Sequence, residues 1–245
     1  MSTRRSSGGK SGKGPGLDSY PRPSVAVDVV ALTVEQRQLR VALYRRDILP
    51  DRGRAALPGG FVKLNESLDD AAARVLAHKA KIWHLFLEQL YTFGELKRDP
   101  RGRVISVAYY ALVEPERFHT RAPGLLSARV RVPWQGETGG GVDVLDDDGK
   151  PMTLAFDHAD IIGMAVKRLR GKLDYSPVGF QLLPEAFTLR QLQEVHETIR
   201  NEALNKNSFR RRMLMSGRLE ATGAHEDAVA YRPAELYRFT RRSAV

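Results

Sequence analysis

The sequence predicts an α+β fold with a strand-rich N-terminal part and a C-terminal winged helix-turn-helix. Between residues 23 and 156, short apolar and β-branched runs alternate with polar turns, and one helical pattern lies among them. After residue 156, apolar residues recur at helical spacing, and a hairpin-like pattern follows them. We therefore predict a basic tail at residues 1–20, a mixed α and β domain at residues 21–156 and a winged-helix domain at residues 157–245.

Composition limits the classes of protein to consider. The chain has 245 residues, 42% of them hydrophobic, which suffices for one large domain or two modest ones. It has no run of eighteen apolar residues, so we predict no membrane span. The absence of cysteine excludes disulfides, thiolate catalysis and cysteine-bound zinc, and it is typical of a cytoplasmic protein. A net charge of +10 indicates either a polyanionic partner or a generally basic surface.

The first twenty residues are rich in Gly, Ser, Lys and Arg and cannot bury an apolar face. They lack the apolar segment of a secretory signal. We predict a disordered, solvated tail in preference to an arm that contacts phosphate groups.

Six strands and an acidic turn are predicted in the N-terminal part. The acidic, glycine-rich residues 136–149 are predicted to form the turn. Asp146, Asp147 and Asp148 fit a solvated hairpin tip better than a cation site, because no calcium-loop spacing surrounds them. Aromatic residues on two strands could stack on an adenine, although strand aromatics more often belong to the core. These aromatics are Tyr91, Phe93, Tyr109 and Tyr110. The strands are predicted at residues 24–33, 39–44, 86–95, 104–113, 128–132 and 152–156.

One helix is predicted within this strand pattern and a second directly after it. The first follows Ser67, a predicted N-cap, and its buried stripe includes Ala72, Val75, Leu76 and the aliphatic stem of Lys79. The second begins after Asp157, also a predicted N-cap. His158 at its start is interpreted as structural rather than as a ligand or base, because no second histidine or nucleophile lies at a useful spacing. Its apolar stripe is Ile161, Ile162, Ala165 and Leu169, and its basic stripe is Lys167, Arg168, Arg170 and Lys172.

A helix-turn-helix with a wing is predicted next. Thr188 and Gln191 have the spacing of a capping box, ahead of the apolar face Leu189, Leu192, Val195 and Ile199. After a turn at residues 201–204, a third helix at 205–215 buries Phe209 and Met213, with Asn207 and Arg211 almost opposite. Wing strands are predicted at residues 218–221, 228–232 and 236–239.

The third helix and the wing carry an excess of positive charge. From Asn205 onward there are nine Lys or Arg and four Asp or Glu. Arginine can bind a guanine edge through two hydrogen bonds, and asparagine an adenine edge, so this pattern favours DNA binding over a merely solvated cationic face. The predicted DNA-contacting residues are Asn205, Lys206, Asn207, Ser208, Arg210, Arg211, Arg212, Arg218 and Arg232.

Residues 60–82 resemble the Nudix box, G-x5-E-x7-R-E-U-x-E-E-x-G-U, where U is a bulky aliphatic residue. Gly60, Glu66 and Arg74 match it, as do both aliphatic positions. Val75, His78 and Lys79 stand in place of the three helical glutamates, and Lys81 replaces the second glycine. Nudix hydrolysis needs carboxylates to hold Mg²⁺ against a diphosphate. The resemblance therefore implies a domain that binds without cleaving, with no catalytic residue and no metal.

Residues 20–243 resemble the NrtR family of Nudix-related transcriptional regulators of NAD metabolism. The resemblance rests on Phe-Asp-His-Ala-Asp-Ile-Ile at 156–162, Arg-Leu-Arg-Gly-Lys-Leu-Asp-Tyr at 168–175, Asn-Ser-Phe-Arg-Arg at 207–211 and Tyr-Arg-Pro at 231–233. It implies a Nudix-like α/β/α sandwich with a mixed sheet that senses ADP-ribose or a related nucleotide. It also implies a homodimer whose winged helices bind a palindromic operator and repress genes of NAD biosynthesis or salvage.

The same resemblance implies an effector site. A diphosphate would contact Arg45, Arg46 and the loop at Gly59 and Gly60, with Glu66 as a polar or structural contact. Two other classes of function stay open at this point. One is a residual Nudix hydrolase of ADP-ribose or related nucleoside diphosphates, and the other is a module that binds RNA or protein through its basic helix.

Overall fold

The structure is a computed structural model that describes residues 16, 19–83, 86–118, 124–173, 176–227 and 233–240. The predicted basic tail therefore lies almost wholly outside the described residues. Within them, no helix has the length and apolar character that crossing a membrane requires. In chain order the elements are β1 (Ser24–Glu35), β2 (Gln38–Arg45), β3 (Ala55–Ala56), β4 (Gly59–Phe61), α1 (Leu68–Ala80), β5 (Leu87–Phe93), β6 (Val104–Leu112), α2 (Pro115–Phe118), β7 (Leu125–Arg131), β8 (Asp143–Leu145), α3 (His158–Lys172), a 3-10 helix (Pro177–Leu182), α4 (Leu189–Arg200), α5 (Lys206–Met215), β9 (Leu219–His225) and β10 (Glu235–Phe239).

The centre of the molecule is an eight-stranded mixed sheet. Its main order is β5-β6-β1-β2-β7-β8, and only the β1–β6 pair is parallel. β1 has two partners along its other edge: β4 pairs with residues 26–28, and β2 pairs with residues 32–35. Because β2 and β4 diverge between these two stretches, the sheet opens on that side of β1.

Alternation along β1 buries both faces of the sheet. Val27 and Val29 face α1, whereas Val30 and Leu32 face α3, and all four side chains are fully buried. A strand that is apolar on both faces requires a covering layer on each side. The result is the α/β/α sandwich with a mixed sheet that the family resemblance implied.

The hydrophobic core beneath α3 continues into the winged helix. Leu192, Val195 and Phe209 belong to the same buried cluster as Ile161 of α3 and Leu43 of β2. Helix α3 itself packs on the sheet, although it lies beyond the boundary predicted at residue 156. That boundary stays a prediction, and the packing shows that the parts on either side of it share one core.

The C-terminal part has the predicted helix-turn-helix followed by a hairpin. Thr188 and Gln191 form the predicted capping box at the start of α4, and the backbone of Asn201 adopts the left-handed conformation that ends this helix. Phe187 and Tyr237 exchange two backbone hydrogen bonds, which attach β10 to the segment before α4. The wing segment predicted at 228–232 lies outside the described residues.

Two strand predictions were incorrect in detail. The strand predicted at residues 152–156 forms only a single bridge, between Leu154 and Ala55. Instead, β8 occurs within the acidic segment predicted as a turn, because residues 143–145 pair with β7. A two-residue bend at Asp147 and Asp148 then reverses the chain, as the predicted hairpin tip requires.

Two predictions about α3 also need correction. Arg170 does not belong to an exposed basic stripe, since it is 5% exposed and its Nε donates to the Ile199 carbonyl oxygen at 2.8 Å. Asp157 occupies the N-cap position, but its side chain makes no capping hydrogen bond. Its carboxylate instead binds Arg98, which draws it towards the open side of β1.

Candidate functional site

An open cleft of about 220 Å³ lies at the gap between β2 and β4. The cleft reaches β1 beside its pairing with β4, where Ala26 and Asp28 line it. The residues that line it include Asp28 of β1, Tyr44 and Arg46 at the end of β2, Gly59 and Gly60 of β4, Lys79 of α1, Arg98 and Arg101 from the loop after β5, and Phe156 and His158 at the start of α3.

A buried polar cluster forms the floor of this cleft. Arg98 donates two hydrogen bonds to Asp157, at 2.8 and 2.6 Å, and its Nη2 lies 3.5 Å from the Asp28 carboxylate. Ser106 donates to the same carboxylate oxygen, with its hydroxyl 2.5 Å from Asp28 Oδ2. These contacts hold α3, β1 and the loop after β5 in fixed positions around the cleft.

His158 is the neutral member of the cluster. The backbone N–H of Leu57 donates to His158 Nδ1 at 3.0 Å, so the proton resides on Nε2, which faces Asp28 Oδ1 at 3.6 Å. Complete burial lowers the pKa of His158 below its ordinary value. Both observations support the predicted structural role over that of a base.

Gly59 is required by the close approach of β4 to β1. A Cβ at this position would overlap the Asp28 carboxylate and lie 3.0 Å from the backbone oxygen of Val27. The absence of a side chain therefore lets the two strands meet at the cleft floor. The first glycine of the Pro-Gly-Gly sequence at 58–60 is therefore required for steric reasons.

The four cations of the cleft differ in their charge compensation. Asp157 neutralises Arg98, and Asp99 neutralises Arg101 through hydrogen bonds of 3.0 and 2.7 Å. By contrast, no carboxylate lies within 4.0 Å of Arg46 or Lys79 in the part of the chain that the structure describes.

The two uncompensated cations lie against aromatic rings. The Arg46 guanidinium lies 4.8 Å from the Phe156 ring centroid, and its Nε donates to the Pro50 carbonyl oxygen at 2.8 Å. Lys79 Nζ lies 4.1 Å from the Tyr44 ring centroid and donates to its hydroxyl at 3.0 Å. The cleft is therefore suited to an anion.

Of the five predicted effector residues, three line the cleft and two do not. Arg46, Gly59 and Gly60 line the cleft. Arg45 instead donates to the Gly53 carbonyl oxygen at 2.8 Å and lines a neighbouring groove. Glu66 also lies outside the cleft lining.

Glu66 has a structural contact of its own. It accepts hydrogen bonds from Arg74 at 2.7 and 2.5 Å and from the Lys63 backbone at 2.8 Å. The Arg74 hydrogen bond lowers the pKa of the Glu66 carboxyl to about 2. The pair fastens the loop before α1 to that helix.

Several cleft residues were missed by the sequence reasoning. The cleft floor brings together Asp28, Arg98 and Asp157, which are far apart in the sequence. The charge-dense segment at 97–101 could have pointed to Arg98, but it carries no signal for the two aspartates. The aromatic residues considered for stacking do not line the cleft: Tyr109 and Tyr110 are buried in the core, on opposite faces of the sheet. Phe156, Phe61 and Tyr44 are the aromatic residues that do line it.

The Nudix metal does not fit the residues of α1. Val75 is buried against Gly60, His78 is exposed, and Lys79 faces the cleft. Across the described ranges, no group of three or more His, Cys, Asp or Glu residues could hold a metal ion. A divalent cation would therefore meet an ammonium group and a valine where it needs carboxylate oxygens.

Helix α5 presents a polar, basic face. Phe209 is 2% exposed and holds the helix to the core, while Asn207, Arg210 and Arg211 are exposed. Asn205 caps the helix, with its side chain accepting from the Ser208 N–H at 3.0 Å, so it is not free to bind a base in this conformation.

The remaining predicted DNA contacts surround that face. Lys206 and Ser208 are exposed in the first turn, Arg218 is half-buried at the start of the wing, and the Arg212 guanidinium lies 5.6 Å from the Phe209 ring centroid. Arg232 lies outside the described residues. The exposed set suits a nucleic-acid surface.

Comparison with known proteins finds matches to two separate parts of the chain. Residues 22–135 match the model of the NUDIX domain, and residues 179–239 match that of the NrtR DNA-binding winged helix domain. The fold and its two surfaces thus define a Nudix domain joined to a winged-helix DNA-binding domain.

Individual relatives extend this match over most of the chain. An "ADPR responsive transcriptional repressor NtrR" from Acinetobacter baylyi is 36% identical over 222 residues, which cover 90% of this chain and 83% of the relative. The crystal structure of Shewanella oneidensis NrtR complexed with a 27mer DNA aligns with a TM-score of 0.72 and 33% identity, covering 88% and 93% of the two chains. The chain belongs to the NrtR family of Nudix-related transcriptional regulators.

A hydrolase is also among the relatives. An ADP-ribose pyrophosphatase from Methanocaldococcus jannaschii is 30% identical over 143 residues, which cover 58% of this chain and 73% of the relative.

Proposed function

We propose that this protein is a transcriptional repressor that binds operator DNA through α5 and its wing and responds to ADP-ribose bound in the cleft. The observation that carries the proposal is the pairing of an exposed basic recognition helix with a cleft that holds two uncompensated cations, on one shared core. The Acinetobacter relative, named as responsive to ADPR, and the Shewanella relative, crystallised with DNA, support both halves.

The cleft offers matching groups for each part of ADP-ribose. Arg46 and Lys79, with the side-chain-free backbone at Gly59 and Gly60 beside them, suit the diphosphate. Phe61, which is 48% exposed, offers a face for the adenine ring. The floor formed by Asp28 supplies acceptors for ribose hydroxyls.

We expect two copies of the DNA-binding surface, one from each subunit of a homodimer, to bind one operator. A palindromic operator has two equivalent half-sites, which a homodimer matches by its own two-fold symmetry. In each half-site Asn207 and Arg211 would face base edges in the major groove, and Lys206 and Arg210 would contact phosphates. We propose genes of NAD biosynthesis or salvage as the targets and the cytoplasm as the location.

Release of the operator would follow from linkage between the two sites. If ADP-ribose binds the conformation that fits the operator poorly, it weakens DNA binding by some factor, and operator DNA weakens ADP-ribose binding by the same factor. The reciprocal change provides a thermodynamic check on the proposal.

The decisive experiment is fluorescence anisotropy with a duplex from upstream of a gene of NAD biosynthesis or salvage in the same genome and a scrambled duplex, at one salt concentration. We expect the protein to prefer the first duplex and ADP-ribose to weaken that binding. Arg211→Ala should cost about 1–3 kcal/mol and relax specificity at one position if the side chain binds a base. Equal loss on both duplexes would assign it to phosphate.

Other results would redirect the proposal. Specific binding that ADP-ribose leaves unchanged would retain the repressor and require another effector. Equal affinity for both duplexes and for RNA would replace the repressor by a general polyanion-binding or interaction module.

A second candidate function is residual hydrolysis of ADP-ribose or a related nucleoside diphosphate. The Nudix domain and the relative named ADP-ribose pyrophosphatase favour it. We propose that the protein lacks this activity, because Val75, His78 and Lys79 replace the carboxylates. A single-turnover assay with ADP-ribose and Mg²⁺ or Mn²⁺ tests this, and release of AMP would contradict it.

A further inference from the structure

Helix α1 carries its lysine into the cleft at the position where a hydrolytic Nudix box has a carboxylate. Lys79 is half-buried and has a fixed position, because Nζ donates to the Tyr44 hydroxyl and lies over the Tyr44 ring. One ammonium N–H is engaged by that hydroxyl, which leaves two for a ligand. The Tyr44 oxygen accepts this bond and still has its own proton to donate.

Charge compensation sets Lys79 apart from most other cations of the cleft. Arg98 and Arg101 are bound by aspartates, whereas Lys79 and Arg46 have no carboxylate within ion-pair distance among the described residues. Asp47, which also lines the cleft, is exposed. The two uncompensated cations both line the cleft beside Gly59 and Gly60.

A diphosphate brings negative charge that a hydrolase neutralises with metal ions. Here the metal ligands are missing, so protein cations must supply the compensation. Among the four altered box residues, Lys79 is the cation that lines the cleft. Val75 is buried and apolar, and His78 and Lys81 are exposed outside the cleft lining.

We propose that the Lys79 ammonium takes the place of the Nudix metal and makes the cleft a metal-independent binding site for nucleoside diphosphates. This inference rests on the proposed function and names the residue that carries its ligand specificity. Arg46 is the second cation of the site, and the Tyr44 hydroxyl positions the ammonium. A Mg²⁺–diphosphate complex binds more weakly than the free diphosphate, because the bound cation repels Lys79.

The test is calorimetric titration of ADP-ribose into the full-length protein, once with EDTA and once with excess Mg²⁺. We expect at least equal affinity in EDTA. Lys79→Gln should weaken binding about 10- to 100-fold, the range for one charge-assisted hydrogen bond. Lys79→Arg should retain most of the affinity, and Lys97→Gln, which changes an exposed lysine outside the cleft lining, should have no effect.

Lys79→Glu provides the reverse experiment, because it returns the carboxylate of the family pattern. This variant should bind poorly in EDTA and regain part of its affinity when Mg²⁺ is added. Circular dichroism of each variant establishes that it is folded before the titrations are compared.

Two results would overturn the inference: binding by the unmodified protein that requires Mg²⁺, or unchanged affinity in Lys79→Gln. Titrations with ADP and inorganic pyrophosphate in the same two buffers separate this inference from the proposed effector. If these bind without metal and ADP-ribose does not, the effector is wrong and the Lys79 inference stands. If no diphosphate binds, both fail.

Discussion

At the scale of single residues, the degenerate Nudix box retains its structural ion pair and loses its metal ligands. Glu66 and Arg74 match the family pattern, and their hydrogen bonds fasten the loop at residues 62–67 to α1. Lys79 shares that helix but lines the cleft. The Glu66–Arg74 ion pair therefore maintains the shape of the loop. A binding site needs that shape even where catalysis is absent.

This ion pair gives a prediction for pH. The folded-state pKa of Glu66, about 2, lies below its ordinary value, so its stabilising contribution is present above the ordinary range and is lost as pH falls towards 2. Carboxyl NMR shifts should therefore show Glu66 still ionised at about pH 3.5, when an ordinary glutamate of pKa about 4.3 is mostly protonated. In Arg74→Met the midpoint should rise towards that ordinary value. Titration of Glu66 near pH 4 in the unmodified protein would contradict this.

Close packing at Gly59 gives a second prediction. Gly59→Ala should lower the free energy of unfolding by about 1–3 kcal/mol and weaken ligand binding, because its Cβ would displace Asp28 from the cleft floor. Gly94→Ala is the matched control, since its Cβ would find no atom closer than 3.8 Å. Urea denaturation measures both variants. A loss in Gly59→Ala no larger than in Gly94→Ala would show that the two strands separate easily.

At the scale of elements, helix ends were the most predictable features. Ser67 caps α1, and Thr188 with Gln191 caps α4, as their spacings predicted. These signals are local, since the hydrogen bonds join residues three apart in the sequence. The start of α3 departs from the rule because a long-range partner, Arg98, competes for the Asp157 carboxylate.

The capping box of α4 leads to a third prediction. Thr188→Ala removes the acceptor for the Gln191 N–H and should destabilise the protein by about 0.5–2 kcal/mol. Thr188→Ser keeps the hydroxyl and should retain most of the stability. Chemical denaturation followed by circular dichroism distinguishes the two. Equal losses in both variants would assign the effect to packing of the Thr188 methyl group instead of capping.

Long-range assembly limited what the sequence could predict. Periodic helices and the long strands were predictable, because their apolar spacing is local. Strand β8 was not, since its three residues lie in an acidic, glycine-rich segment and become a strand by pairing with β7. In the cleft floor, Asp28 likewise contacts Arg98 and His158, and Arg98 binds Asp157. These residues are far apart in the sequence, so no periodic pattern predicts that they meet.

At the scale of the whole molecule, the hairpin of β1 and β2 joins the cleft to the helix-turn-helix. One end of β2 carries Tyr44 into the cleft, and Arg37 at the other end binds Glu197 of α4 at 2.9 Å. Glu197 also accepts from the Leu204 N–H at 3.0 Å in the turn before α5. A shift of β2 on ligand binding would therefore reach the recognition helix through three hydrogen-bonded groups.

This connection gives the fourth prediction. Arg37→Ala should reduce the effect of ADP-ribose on operator affinity, lowering the coupling free energy by about 0.5–2 kcal/mol. The stability should change little, because the Arg37 side chain is 59% exposed. Arg131→Ala removes a comparable exposed ion pair, with Asp143, and is the control. Full coupling in both variants would show that the signal travels by another route, such as α3.

The parallel pairing of β1 with β6 has a consequence for how the protein is made. Residues 24–32 pair with residues 104–112, so a ribosome must synthesise some eighty further residues before β1 can complete its hydrogen bonds. Until then β1 and β2 form a hairpin that is apolar on both sides. The nascent chain therefore exposes apolar surface for a time, and α3 and α4 cover the second side of the hairpin only after residues 158–200 have been made. Chaperone demand should therefore be highest after β2 has been made and before α3 and α4 cover the hairpin.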